Sequence, residues 1–245
     1  MPADYFPVSV LQNGVKLTTE PPRGLRANMM KSFNDINSEQ FEAAKKPREW
    51  QKLLFGLCFF HAIIQERRKF GPLGWNIRYE FNDSDLETSR TNLAMFLDEQ
   101  DDIPWDAMLY VTGHINYGGR VTDDWDRVCL ISILKKYYTA DVLEGETFQL
   151  SSSGIYMIPD VGSLASFKDY ISNLPLVDPP EVFGLHENAN ITYQAQESDK
   201  IVQTILSIQP RMTTGTGGKS QDDIVIELAV DLENQLPPLL DRAVS

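Results

Sequence analysis

The sequence predicts a mainly α-helical fold with minor β structure, on three observations. Residues 48–69 place Trp50, Leu53, Leu54, Leu57, Phe60, His61 and Ile64 at spacings of three and four, the period of a helix with one apolar face. Capping residues or an early proline open further apolar-periodic stretches at Ser84, Pro104, Asp123 and Ser220. Strand-like texture is confined to residues 5–18 and to "GIYMIP". With 245 residues, 42% hydrophobic and 23% charged, the chain has an ordinary globular balance and enough length for a sizeable core, in one large domain or two smaller ones.

In order along the chain, Phe6, Val8 and Val10, a turn at Asn13-Gly14, then Val15 and Leu17 suggest one or two short strands. This opening has no strand partner, as expected of a piece of a longer chain. "TEPPRGLRANMMKSF" reads as a helix or a turn entering one, and "NDINSEQFEAAKKPREW" as helical in part. The long helix over 48–69 should stop at Gly71-Pro72 and Gly74. A capping box of Ser84 and Glu87 is expected to start the next helix, whose apolar side holds Leu86, Leu93, Met95, Phe96 and Leu97. "PWDAMLYVTGHI" is a shorter helix that Gly113 closes, and Thr122 or Asp123 caps "DWDRVCLISILKKYY". Around 139–152 the polar, Gly/Ser-punctuated "TADVLEGETFQLSSSG" marks a boundary or linker. A short strand and a helix with Leu164, Phe167, Tyr170, Ile171 and Leu174 inward follow, then an irregular proline-rich stretch. Two helices, "ESDKIVQTILSIQP" and "SQDDIVIELAVDLENQLP", complete the pattern.

The net charge of −13 argues against nucleic-acid or anionic-membrane partners and leaves a basic protein surface open. Cys58 and Cys129 sit in apolar runs with no C-x-x-C spacing, and read as free thiols in a reducing compartment. "MPADYFPVSVLQNG" lacks the basic-then-apolar pattern of a secretory leader. The longest apolar run, "LLFGLCFFHAII", is interrupted by His61 and too short to span a bilayer, so a soluble protein is expected.

"TGTGGKS" supplies the last three positions of a phosphate-binding loop through Gly218, Lys219 and Ser220, but Thr213 stands where the first glycine belongs. Such a loop follows a buried strand; here a helix precedes it, and Ser220 reads as an N-cap with Asp223 in the capping-box position. A flexible inter-helix loop is the better reading. Asp123, Asp124 and Asp126 lack the spacing of a calcium loop and suit the positive end of a helix. His61 reads as a core histidine; His186, Glu187 and Asn188 read as a turn that bonds its own backbone. Nothing assembles a nucleophile, a base and an oxyanion site, so no catalytic, cofactor-binding or metal-ligating residue is expected.

The strings "LLFGLCFFHAIIQERRKFGPLGWNIRYEFNDSDL", "INYGGRVTDDWDR", "PEVFGLHENANITYQ" and "TILSIQPR" strongly resemble the C-terminal part of dynein heavy chains, with the flavour of the axonemal members. The resemblance covers nearly the whole chain. It implies a helical AAA+ lid bundle followed by the helical first part of the dynein C-terminal domain. Residues 1–35 would close the large subdomain of the sixth AAA+ module, 36–145 would form its lid, and 146–245 would begin the C-terminal domain, whose β-rich continuation lies beyond this chain. It also implies a non-catalytic piece of a motor ring in cytoplasm, cytoskeleton and axoneme. No cofactor is expected in this piece; Mg-ATP belongs to the parent chain. Neighbouring AAA+ modules are the implied partners, with the microtubule and the intermediate and light chains reached through stalk and tail outside it. "PLGWNIRYEFNDSDL" and "NYGGRVTDDWDR", with Trp75 and Trp125, are expected to form the packed junction of the lid. The rival readings are a helical adaptor with an acidic docking surface and a nucleotide binder acting through Lys219.

Overall fold

From Trp50 through Ile64 every residue is buried, so this stretch is a spine and has no solvent face. The computed structural model describes residues 22–42, 44–208 and 225–231. It is mainly helical with one small hairpin, as the periodicity predicts. Two compact units divide after Ala195.

In the first unit, α1 (Leu25–Asn34), α2 (Ser38–Glu42), α3 (Pro47–Glu66), α4 (Asp83–Glu99), α5 (Trp105–Leu109), α6 (Asp124–Lys135) and α7 (Leu164–Ser172) are joined by 3-10 and π segments. The spine is α3, which carries contacts to α1, α2, α4 and α6. Its apolar composition explains the role. A helix apolar on most faces finds enough cover only at the centre of a bundle. The three-and-four spacing identifies the helix but understates it, since Gln51, Lys52 and His61 are buried too.

Proline at the first helical position starts α3, and a 3-10 segment, Arg67–Leu73, ends it. Gly71 there has φ 58. Gly74 is required by close approach: a Cβ at this position would lie 1.9 Å from the Arg67 carbonyl oxygen. The expected stop is therefore present, made by one glycine for its backbone and another for its lack of a side chain.

Helix α4 starts earlier than the Ser84/Glu87 reading. Its cap is Asn82, and the Asp85 carboxylate accepts the Asn82 amide at 2.9 Å. Ser84 falls inside the first turn, because Asn82 takes the extended cap conformation first. The Gly113 closure is also corrected. After α5 the chain widens into a π-helical turn, Tyr110–Tyr117, that runs through Gly113. A Cβ on Gly113 would meet Ile131 Cδ1 at 2.5 Å, so this glycine lets α6 approach and does not end the helix. Asp123 caps α6 as expected, accepting from the Asp126 amide at 2.9 Å.

The strand expected in "GIYMIP" is β2 (Met157–Ile158), antiparallel to β1 (Phe148–Gln149) with Phe148 opposite Ile158. A boundary near residue 145 does not separate two compact units. Phe167 of α7 stacks on Phe33 of α1 at 5.9 Å, meets Phe41 of α2 at 5.3 Å and touches Phe55 of α3 at 5.9 Å. One aromatic core thus joins residues on both sides of the polar stretch.

Helix α8 (Ala189–Ile208) begins earlier than "ESDKIVQTILSIQP" and continues into the second unit. "HENAN" nucleates it: the Asn188 amide donates to His186 Nδ1 at 3.2 Å and the Ala189 amide to the His186 carbonyl at 2.9 Å. His186 bonds its own backbone as expected, and the turn it makes is a helix start. In the second unit, Ile201, Val202, Ile205 and Leu206 of α8 and the helical residues 225–231 present exposed aliphatic side chains. The strands read in 5–18 and the "TGTGGKS" loop with Lys219 and Ser220 lie outside the described residues.

Candidate functional site

Among the described residues, no group of three or more His, Cys, Asp or Glu side chains is placed to hold a metal ion. His61 is buried in the spine, His114 is exposed beside Tyr110 at 5.3 Å, and His186 opens α8. A cleft of about 510 Å³ between α1 and the start of α4 is lined by mixed charges, with Lys31 and Asp83 paired at 2.6 Å. Among the described residues, the fold builds a set of buried polar ties across long sequence separations.

The first tie centres on Arg67, which is 5% exposed. Its Nε and Nη2 donate to the Gly74 carbonyl at 3.1 and 2.9 Å, and Nη1 donates to the Phe183 carbonyl. Nη2 also lies 3.3 Å from Cys129 Sγ of α6, and the guanidinium sits 5.1 Å from the Trp75 ring centre. Burial lowers the Arg67 pKa, while Cys129 and Asp126 act to raise it. One side chain at the end of α3 therefore holds the turn after it, helix α6 and a residue beyond the polar stretch. The planar fork of Arg suits this; a Lys would reach fewer acceptors.

The second tie is Asp178, also 5% exposed. Helix α1 begins at Leu25 after Gly24, which has no side chain to cap it. Asp178 supplies the missing acceptor from 153 residues away: Oδ2 accepts the Leu25 amide at 2.9 Å, and Oδ1 accepts the Tyr156 hydroxyl at 2.7 Å. Burial and the Asp178 carboxylate push the Tyr156 pKa up. A carboxylate at a helix N-terminus is favoured by both the free amides and the dipole.

The third tie joins the two strings expected to form the lid junction. Asp126 accepts the Asn76 and Ile77 amides at 3.0 and 3.2 Å, and Asp123 accepts from Asn76 Nδ2 at 3.2 Å. Hydrogen bonds from the Asp126 amide and Asn76 hold the Asp123 carboxyl below its usual range. Asp123 and Asp126, two of the three acids that resemble a metal cluster, are spent on backbone and amide donors. Trp75 is buried in this junction, its Nε1 donating to the Ile64 carbonyl at 3.0 Å. Trp125 is not: it is 77% exposed, because Asp126, Leu130, Ile133 and Leu134 take the inner face of α6.

A fourth set bolts the supposed linker to α3. Arg48 and Lys52 donate to the Gly145 carbonyl at 2.8 and 2.7 Å, and Gln51 accepts the Gly162 amide at 3.0 Å. Burial, and then Arg48 alongside, lowers the Lys52 pKa. Residues 48, 51 and 52 share one helical face. The sequence reading passed over them, and their only signal is polar residues inside an otherwise apolar period.

His61 is the buried titratable group of the spine. Its Nδ1 is 2.9 Å from the Tyr117 hydroxyl, at the end of the π turn. Burial lowers its pKa to about 4. The unfolded chain, with an ordinary histidine near pH 6.5, takes up the proton first. Stability that is complete above that pH is therefore lost as pH falls toward 4, by roughly 3 kcal/mol in all. Urea denaturation of wild type and His61→Phe at pH 7, 5 and 4 checks this. The wild type should lose stability relative to the variant as pH falls, and parallel losses would show that His61 is not the group.

Comparison with known proteins now bears on the whole arrangement. Residues 50–189 match the family model described as the dynein heavy chain AAA lid domain. The chain belongs to the dynein heavy chain family. The matched range crosses residue 145, in line with the shared core on both sides of it. Relatives run along nearly the full length of this dynein heavy chain segment. It is 54% identical to human dynein axonemal heavy chain 6 over 98% of the chain. It is 51% identical to human dynein axonemal heavy chain 3 over 96% of the chain, and 47% identical to human dynein axonemal heavy chain 2 over 98%. The chain spans about 6% of the length of each of these relatives. Within a dynein heavy chain, the ties described above lie in and around the lid, and no helix of the described residues is long and apolar enough to cross a membrane.

Proposed function

We propose that this segment is a non-catalytic coupling block in the motor ring of an axonemal dynein heavy chain. Residues 22–195 pass rigid-body displacements between neighbouring modules of an ATP-driven, minus-end-directed microtubule motor. The parent chain hydrolyses Mg-ATP elsewhere and works in the axoneme of cilia or flagella. The observation that carries the reading is the pair of buried ties, Arg67 and Asp178, which lock residues beyond 145 to the end of α3 and to the start of α1. A block with fixed internal geometry can transmit a small displacement at one face to another, where loosely joined helices would absorb it. The axonemal assignment rests on the names of the relatives.

The test uses the intact heavy chain carrying Asp178→Asn. Basal ATPase should stay near wild type, because the proposal places hydrolysis elsewhere in the parent chain. Stimulation by microtubules should fall by about two- to thirtyfold, the range in which residues remote from both ligands modulate coupling. Equal basal and stimulated rates in variant and wild type would favour an independent adaptor.

A further inference from the structure

Helix α8 starts inside the first unit and continues beyond it, and its base is gripped by an unusual group of side chains. Lys69, in the 3-10 segment after α3, points its ammonium at three aromatic rings. Nζ lies 4.5 Å from the centre of Phe183, 5.1 Å from Phe70 and 5.6 Å from Tyr193 of α8. Glu66 Oε2 stands 3.7 Å away as the anionic partner. The rings also pack on one another: Phe70 is 5.3 Å from Phe183 and 5.9 Å from Tyr193. Phe70 and Phe183 are 1% exposed and the Lys69 side chain 20%, so the ammonium meets ring faces in a partly dry setting. There the attraction of a cation for an aromatic face is stronger than at an open surface.

We infer that Lys69 is a charge-dependent clamp that fixes the base of α8 to the first unit, and that removing its charge releases the first turns of that helix. Lys69 and Arg67 act as a pair. Arg67 takes the Phe183 carbonyl and Lys69 takes the Phe183 ring, so Phe183 is held through both of its chemical faces. Tyr193 is the ring that α8 contributes. Without the ammonium, the three rings keep their apolar contacts but lose the cation that they share. The start of α8 is also held by the core contacts of Ala189 and Tyr193 and by the short bonds of its "HENAN" turn, which are local and fray easily. The clamp stands independently of the motor reading.

Amide hydrogen exchange on the full 245-residue chain tests it. Lys69→Met keeps the stem and removes the cation, Lys69→Arg keeps a cation, and Tyr193→Leu keeps bulk and removes the ring. Residues 189–195 should exchange about three- to tenfold faster in Lys69→Met and in Tyr193→Leu, with α3 unchanged. Lys69→Arg should stay near wild type, and the double variant should be no faster than either single change. The clamp is overturned if Lys69→Met matches wild type, if Lys69→Arg is as fast as Lys69→Met, or if the two effects multiply. Equal acceleration in α3 would also overturn it, since Lys69 would then support the whole fold and not the base of α8.

Discussion

Replacing Arg67 with methionine should destabilise the chain by about 3–5 kcal/mol, the range seen when one member of a buried charged network is removed. Methionine fills most of the stem volume, so cavity formation is a minor part of the loss. The larger part is polar. The Gly74 and Phe183 carbonyls are left without their donor, and each buried orphan costs roughly 1–3 kcal/mol. The Trp75 ring also loses its cation. Arg67→Lys should cost about half as much, because the charge stays while the fork that serves two carbonyls at once is gone. Urea denaturation followed by circular dichroism measures both. A cost below about 1 kcal/mol for methionine would mean that water replaces the guanidinium, and that the junction is not dry.

Asp178→Ala should cost about 2–4 kcal/mol, from two orphaned donors in one buried place and the loss of a charged cap on α1. The Leu25 amide and the Tyr156 hydroxyl share this carboxylate. Their coupling gives a sharper check. Tyr156→Phe removes one of the two orphans in advance. In the Tyr156→Phe background the Asp178→Ala cost should therefore shrink by about 1 kcal/mol or more. Equal costs in the two backgrounds would show that the tyrosine bond contributes nothing.

The sequence shows the helices of this fold more clearly than it shows what joins them. Period three-and-four spacing finds α3, α4, α6 and α7 because burial of an apolar stripe is a local, repeating demand. Cap positions shift where several candidates crowd together, as at Asn82, Ser84 and Asp85. The π turn at 110–117 is invisible to a helical period, as is the close approach of α6 to Gly113 within it. The polar stretch at 139–152 reads as a linker because its own side chains bury little. Its attachment comes from the other partner, through Arg48 and Lys52 donating to a backbone carbonyl, and backbone acceptors leave no mark in a sequence. The same holds for the site. Asp123 follows from a capping pattern, while Trp75 and the lid junction come from the resemblance to dynein heavy chains. Arg67 and Asp178 follow from neither, because each is a single charged residue whose partners lie far along the chain. Trp125 shows the reverse error: the resembling string puts it in the packed junction, but the helical phase set by Leu130 and Leu134 turns it outward.

The claim on which this account depends is that residues on both sides of position 145 form one body. Native-state hydrogen exchange across a urea series on the full chain tests it most directly, since it separates cooperative units by the free energy at which they open. The account predicts that the amides of α1, α3 and α7 merge into a single opening with the same free energy and the same urea dependence. A separate, less stable opening of residues 146–183, with α3 still protected, would contradict it.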